Sequence, residues 1–173
     1  VQNLDNVNAG TSTSQTNGYL FYGSATGNAT TIVYTTEYAL SESTVSQLDT
    51  FSWYQGHANA STARRLAIRI GSNWYVSSAS FANAAMNAAT FASSGEQKTF
   101  NWTTDASAWR NVTVAGATVT LGSVLSADLN TTGGISAFGL FATNTNEVRR
   151  VDTFEINAIP EPTSALLGGL GLL

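Results

Sequence analysis

The chain has no cysteine, two prolines, one histidine (His57) and one lysine (Lys98). Without cysteine it forms no disulfide and offers no thiolate. A zinc site built from several cysteines and histidines is excluded for the same reason. Only 10% of the 173 residues are charged, and the formal net charge is -4. Nucleic-acid binding needs concentrated lysine and arginine, so the charge argues against it.

The polar residues that are present are mainly Ser, Thr, Asn and Gly, which is typical of extracellular β-proteins. Short segments rich in β-branched and aromatic residues recur at intervals of about ten residues, and no long helical pattern interrupts them. These segments are 19–22, 31–40, 48–54, 64–70, 74–76, 98–103, 110–114, 117–121, 135–143 and 149–158. They predict an all-β fold, a single jelly-roll-like antiparallel β-sandwich over residues 1–158. A short tail, 159–173, follows it.

Two stretches carry the clearest local signals. In 64–70 the apolar residues alternate with polar ones, a Gly-Ser-Asn turn follows, and 74–76 continues as a second strand, which predicts a hairpin. Segment 135–143 is apolar almost throughout and predicts a central strand. Together with the alternating segment 149–158, these stretches resemble the jelly-roll, concanavalin-like and carbohydrate-module group. The resemblance implies a sandwich fold and leaves the activity open.

The last fourteen residues read PEPTSALLGGLGLL, a Pro-Glu-Pro triplet followed by eleven uncharged residues. This resembles the PEP-CTERM sorting tail of proteins exported by Gram-negative bacteria. In that family a Pro-Glu-Pro motif precedes a membrane-spanning helix and a basic cluster, and an envelope enzyme, an exosortase, is thought to read it. The resemblance implies an extracellular or cell-surface location. Because the chain starts at Val1 rather than Met, we expect a mature form after signal-peptide removal.

The tail departs from that pattern in length and charge. A spanning helix needs about 20 apolar residues, and the run after Pro162 has eleven and no basic cluster. We therefore expect membrane contact only transiently, through the unprocessed tail. The candidate sorting or assembly residues are Pro160, Glu161, Pro162, Leu166, Leu167, Leu170, Leu172 and Leu173.

Assembly is the second role that these leucines suggest. Burying each of them would contribute roughly 1.5 to 3 kcal/mol, enough to order the segment against a neighbouring copy. A head-to-tail contact of this kind does not close on itself, so it grows a filament. The expected partner is therefore the chain itself, as a homopolymer.

No grouping of residues predicts catalysis. His57 stands alone, and no Gly-x-Ser-x-Gly elbow is present. Asp152 and Glu155 are three apart, so on a regular strand they would point to opposite faces rather than form a glycosidase pair. A secreted hydrolase, the least favoured alternative, would depend on an acid such as Glu37 or Glu155. We expect no enzyme activity and no catalytic residue.

A structural Ca²⁺ ion is the one cofactor that the residues suggest. Calcium takes oxygen ligands from Asp, Asn and backbone carbonyls. Asp5, near Asn6 and Asn8, and Asp152 are the candidate ligands, although no dense Asp-rich loop surrounds them. Beyond this ion we expect no metal and no cofactor.

Aromatic residues are the candidate contact surface. Adjacent strand residues face opposite ways, so one ring of the pair Trp53 and Tyr54, and one of Trp74 and Tyr75, should face outward. Exposed large aromatics, including Trp109, would contact a glycan or another subunit. Their alternative role is the sandwich core.

Four arginines form two pairs at strand starts: Arg64, Arg65, Arg149 and Arg150. They are either a solvated rim or a contact for acidic groups of a neighbouring copy or of a polysaccharide. Two functions follow from the whole sequence. The first is an exported, non-catalytic structural protein of the cell surface or extracellular matrix that forms a filament or sheath through its tail. The alternative is a surface-anchored module that binds exopolysaccharide.

Overall fold

A computed structural model shows two β-sheets packed face to face. It describes residues 2–3, 20–22, 30–36, 38–57, 63–82, 96–116, 118–143 and 149–159. The seven-stranded sheet has the order β1-β3-β10-β5-β6-β8-β9, and the four-stranded sheet has the order β2-β11-β4-β7. Every pairing is antiparallel except that of β1 with β3, which is parallel. The predicted all-β sandwich is confirmed.

The strands are β1 (Gln2–Asn3), β2 (Leu20–Tyr22), β3 (Thr31–Thr35), β4 (Leu48–His57), β5 (Arg64–Ile70), β6 (Asn73–Ser77), β7 (Glu96–Asn101), β8 (Trp109–Ala115), β9 (Thr118–Val124), β10 (Ala137–Ala142) and β11 (Arg149–Ala158). One four-residue helix, α1 (Glu42–Val45), and a 3-10 turn (Ala106–Ala108) complete the described elements. No helix among the described residues has the length and hydropathy needed to cross a bilayer.

The main core lies between the two sheets and is rich in aromatic rings. Phe138 of β10 stacks on Phe154 of β11 with ring centroids 5.2 Å apart, and Phe51 of β4 contacts both rings. On β5 the residues Leu66 and Ile68 face this core, as their alternation predicts. Burial of these side chains on both inner faces holds the sheets together.

The predicted hairpin and the predicted central strand are both confirmed. β5 and β6 pair antiparallel around a turn at Gly71, whose φ of 58° is the left-handed conformation that glycine adopts without strain. β10 lies between β3 and β5, and all six of its residues are buried.

A second apolar cluster lies on the face of the seven-stranded sheet that points away from the core. Its buried members are Ile32, Ala67, Trp74, Val76, Val112, Val119, Ala137 and Phe141. The cluster explains why β10 reads as apolar throughout, because apolar residues cover both faces of this strand.

β11 contains a bulge that interrupts the alternation of its side chains between the two faces of the sheet. Asp152 lies opposite Tyr54 and Glu155 lies opposite Ser52, so three steps on β11 match two steps on β4. As a result Val151 and Phe154, three residues apart, both pack in the core. The expectation that positions 152 and 155 fall on opposite faces assumed a regular strand, and the bulge removes that assumption.

Two short helical turns differ from expectation. α1 was not predicted; its Ser41 cap accepts a hydrogen bond from the Thr44 amide through Oγ at 3.2 Å. The 3-10 turn at Ala106–Ala108 was not predicted either. Asp128 supports that turn by accepting a hydrogen bond from the Ala106 amide at 3.0 Å.

Candidate functional site

One end of the sandwich contains a buried polar group that we call the Arg64 corner, formed by Trp53, Gln55, Gly56, Arg64 and Phe81. The first three lie on β4 of the four-stranded sheet, and Arg64 opens β5 of the other sheet. Phe81 forms an isolated bridge with Arg64 through amide–carbonyl hydrogen bonds of 2.9 and 2.7 Å. Residues paired in this way share a face, so the Arg64 and Phe81 side chains are neighbours.

A hydrogen-bonded chain of side chains forms the floor of the corner. Trp53 donates from Nε1 to Gln55 Oε1 at 2.8 Å, and Gln55 donates from Nε2 to the Phe81 carbonyl at 2.8 Å. The Trp53 and Phe81 rings meet edge to face with centroids 5.0 Å apart. Trp53 and Gln55 are fully buried, so each bond is shielded from water.

Arg64 is the unusual member of the corner. Its side chain is 0% exposed, and Nη2 donates to the Gly56 carbonyl at 2.9 Å. Among the residues that the structure describes, Nε and Nη1 have no hydrogen-bond partner. Buried charges in proteins are normally paired or fully hydrogen-bonded, so this guanidinium is only partly compensated.

Charge is unevenly divided between the two sheets. The charged residues in the strands of the seven-stranded sheet are all arginines: Arg64, Arg65, Arg69 and Arg110. The ion pair found within the described residues lies in the other sheet, where Lys98 Nζ is 2.6 Å from a Glu96 carboxylate oxygen. None of the four arginines is paired with a carboxylate of the described residues.

Three of these arginines lie on the outer face, and neutral oxygens accept their hydrogen bonds. Arg65 Nη1 donates to the carbonyls of Ser77, at 2.9 Å, and of Ser78. Burial, and then the nearby charge of Arg110, lower the pKa of Arg65. Arg110 Nε donates to the Gly122 carbonyl at 3.1 Å.

Arg69, the third arginine of the outer face, donates from Nε to Ser136 Oγ at 2.9 Å. Its guanidinium carbon lies 5.9 Å from the Tyr34 ring centroid and 5.7 Å from that of Trp74. This cation–π arrangement explains how Arg69 packs on an otherwise apolar face.

The tryptophans considered for surface contact are core residues, which corrects that part of the sequence analysis. Trp53 and Trp109 are fully buried between the sheets, and Trp74 is buried in the outer cluster. Buried rings have no open face on which a sugar could stack. Trp109 also donates from Nε1 to the Thr103 carbonyl at 2.7 Å. That bond satisfies its polar atom within the fold.

The tyrosines that follow Trp53 and Trp74 in the sequence are less buried than these tryptophans. Tyr54 faces solvent, with 38% of its surface exposed, as the alternation with Trp53 predicts. Tyr75 packs against the core between the sheets while Trp74 packs in the outer cluster, so this pair also divides between two faces. Tyr54 is therefore the one member of the predicted aromatic set that the structure leaves open to solvent.

Several other candidates are described only in part. In β11, Arg149 pairs with His57 and Arg150 pairs with Gly56 along the backbone; the side chains of Arg149, Arg150, His57 and Asp152 lie outside the described part. Asp5 and Glu37 lie outside the described residues, as do all the candidate tail residues: Pro160, Glu161, Pro162, Leu166, Leu167, Leu170, Leu172 and Leu173.

The acids of the described residues do not converge. No group of three or more His, Asp or Glu side chains within the described ranges could hold a metal ion. Glu155, the hydrolase candidate, accepts a hydrogen bond from Ser52 Oγ at 3.3 Å. It lies on a half-exposed strand rather than facing a second described carboxylate.

Sequence reasoning missed Gln55, Arg69 and Arg110. Two of them carried a readable signal: Gln55 follows Phe51 and Trp53 at alternate positions, and Arg69 shares the alternation of Arg65. The sequence gives no signal for Arg110, because Arg110 comes near Arg65 only when β5 and β8 both pair with β6.

Comparison with known proteins finds no matching family model, no matching curated protein and no matching solved structure.

Proposed function

We propose that this chain is a non-catalytic structural protein, exported to the surface of a Gram-negative bacterium, that assembles with copies of itself into a filament or sheath. The observation that carries the proposal is the exposed outer strand of the larger sheet, β9. Its sequence, TVTLGSV, has no charge and no proline. Among the described residues β9 is the last strand of its sheet.

An edge of this kind favours strand addition. An edge strand presents unpaired backbone N–H and C=O groups, and natural sheets usually guard it with lysine, proline or a bulge. Thr118 and Thr120 are exposed, and so are the apolar side chains of Val114 and Val124. The bulge in the β8–β9 ladder lies between Arg110 and Val112, which leaves 118–121 in regular register.

The tail supplies a segment of matching chemistry. Residues 163–173 carry no charge and are rich in Leu and Gly, so such a segment can add to a neutral edge without unpaired charge. In the proposed contact the tail of one copy lies along β9 of the next. The donor and acceptor surfaces are different, so the contact repeats in one direction.

The alternative of a polysaccharide-binding module loses its aromatic platform, because Trp53, Trp74 and Trp109 are buried. Its remaining support is the set of arginines without carboxylate partners among the described residues. The structural function needs none of the tryptophans at the surface, and it is the better supported of the two.

The test is the solution mass of the whole chain beside a chain that ends at Ala158, by size exclusion with light scattering. We expect polymers from the whole chain and a monomer near the mass of the single chain, 18.1 kDa for the full length, from the shortened one. A full-length variant with Leu166, Leu167 and Leu170 all changed to Ser is the matched control and should also be monomeric. A monomeric whole chain would overturn the proposal.

A further inference from the structure

We propose that the Arg64 corner is a binding site for the carboxylate of an acidic sugar, such as a uronic acid. The inference does not depend on self-assembly, because it concerns the opposite side of β5 from the outer face and involves neither β9 nor the tail.

The charge of Arg64 is only partly compensated within the described residues. A guanidinium stays protonated at every pH that a protein experiences. Burying such a charge is costly unless a partner and further hydrogen bonds compensate it. For Arg64 the described residues supply one carbonyl, that of Gly56, and leave Nε and Nη1 without acceptors. A carboxylate offers both the negative charge and the acceptor oxygens that a guanidinium binds best.

Four of the six described carboxylates are engaged elsewhere. Glu96 pairs with Lys98, Glu155 accepts from Ser52, and Asp128 accepts from the Ala106 amide. Glu42 accepts from the Gly133 amide at 3.3 Å. Arg64 forms no ion pair with any described carboxylate, so the partner that it requires is not an acid of the described part of the chain.

The residue next to Arg64 bears on the shape of the ligand. Phe81 is half-buried and lies beside Arg64 on the same face, so a partly exposed aromatic residue adjoins the guanidinium. A pyranose ring offers C–H groups to an aromatic ring, and a uronic acid adds the carboxylate on the same small molecule. A peptide of Asp or Glu offers the carboxylate but has no ring that could pack against Phe81. The corner therefore favours the sugar.

Thermal unfolding of the full-length protein with D-glucuronate and, separately, with glucose is the first experiment. Glucose has the same ring without the carboxylate and is the ligand control. A ligand that binds only the folded state raises the melting temperature, by roughly 5 to 10 °C at about 100 times its dissociation constant for a chain of this size. We expect this rise with glucuronate and none with glucose. An equal change of the melting temperature with the two sugars overturns the proposal.

The variant Arg64→Met keeps the length of the side chain and removes its charge. We expect it to lose the glucuronate effect. Without ligand it should melt within a few degrees of the wild type, because the substitution removes the hydrogen bond to the Gly56 carbonyl but also removes a buried charge that is only partly compensated. Arg65→Met, on the next residue of the same strand, is the matched control and should keep the effect. Glucuronate stabilisation that survives in Arg64→Met places the binding elsewhere and overturns the proposal.

Two other outcomes are possible for the Arg64→Met variant. If Arg64→Met melts far below the wild type without ligand, the guanidinium already has a partner in this chain, and the proposal is overturned. If the variant does not fold, Arg64→Lys replaces it, and calorimetric titration of the wild type with glucuronate, glucose and a penta-glutamate peptide gives the answer. Binding of glucuronate alone supports the proposal. Binding of the peptide alone, or of no ligand, overturns it.

Discussion

Trp53 and Gln55, two residues apart on β4 and both fully buried, are joined by a hydrogen bond of 2.8 Å from the indole Nε1 to the amide Oε1. The same amide reaches the Phe81 carbonyl through Nε2, so a single side chain satisfies polar groups on two segments. An unsatisfied buried donor costs about 1 to 3 kcal/mol. The Gln55 amide is therefore a structural requirement of the core at this end of the sandwich.

We expect Gln55→Leu to lower the free energy of unfolding by roughly 2 kcal/mol, because it leaves the Trp53 indole N–H unpaired and removes one of the two hydrogen bonds that the Phe81 carbonyl accepts. Urea denaturation measures the loss. Gln97→Leu, on the exposed face of β7, is the control and should change stability by less than about 0.5 kcal/mol. Equal effects of the two substitutions would contradict the hydrogen-bonded arrangement.

Gly139 marks a close approach between β10 and β3. A Cβ at this position would overlap the Val33 carbonyl oxygen and lie 2.7 Å from Tyr34 Cα. We expect Gly139→Ala to destabilise the protein by about 1 to 3 kcal/mol or more, since backbone atoms must move.

Gly116→Ala is the comparison for that substitution. Gly116 has a φ of 58° and no atom within 4 Å of an added Cβ, so only conformational strain, of about 1 to 2 kcal/mol, opposes alanine. Chemical denaturation of both variants separates overlap from strain. A Gly139→Ala protein as stable as the wild type would show that β10 and β3 can separate freely.

A charge on the outer edge of β9 should prevent strand addition. We expect Thr120→Lys to convert a polymeric full-length chain to a monomer in light scattering, because a buried lysine would lie in the new strand pair. Thr113→Lys is the matched control: Thr113 lies directly opposite Thr120 and is also exposed, but its strand, β8, lies between β6 and β9 and is not an edge strand. If both variants form polymers, β9 is not part of the interface.

Tryptophan emission tests the burial of the aromatic set. Trp102 is the half-buried tryptophan, and the other three are buried, so Trp102→Phe should leave a blue-shifted emission that acrylamide hardly quenches. Neutral polysaccharide should leave the emission of the Trp102→Phe protein unchanged, since none of its three buried rings can stack on a sugar. A large quenching by either agent in the Trp102→Phe protein would contradict the buried positions.

The sequence predicted the positions of the strands better than it predicted which side chains face the core. The hairpin of β5 and β6, the central position of β10 and the bounds of β11 followed from alternation and turn chemistry, which are local. The bulge between Asp152 and Glu155 did not, because an extra residue is visible only against the partner strand. The Arg64 corner was missed as a site for a related reason. Arg64 reads as the first polar residue of a strand, and its burial depends on Gly56 of the opposite sheet.

By itself, the sequence determined that this protein folds as a β-sandwich with few charged residues, and that cysteine and multiple-histidine chemistry are excluded. Those properties follow from the composition and from the alternation of apolar and polar residues along each strand. Both can be read without knowing which strands pair. Only the tertiary structure decided which rings are buried, that the strands of the larger sheet carry arginine as their only charged residue, and that Arg64 lies between the sheets. These properties depend on which strands meet, and strand pairing joins residues that are far apart in the chain.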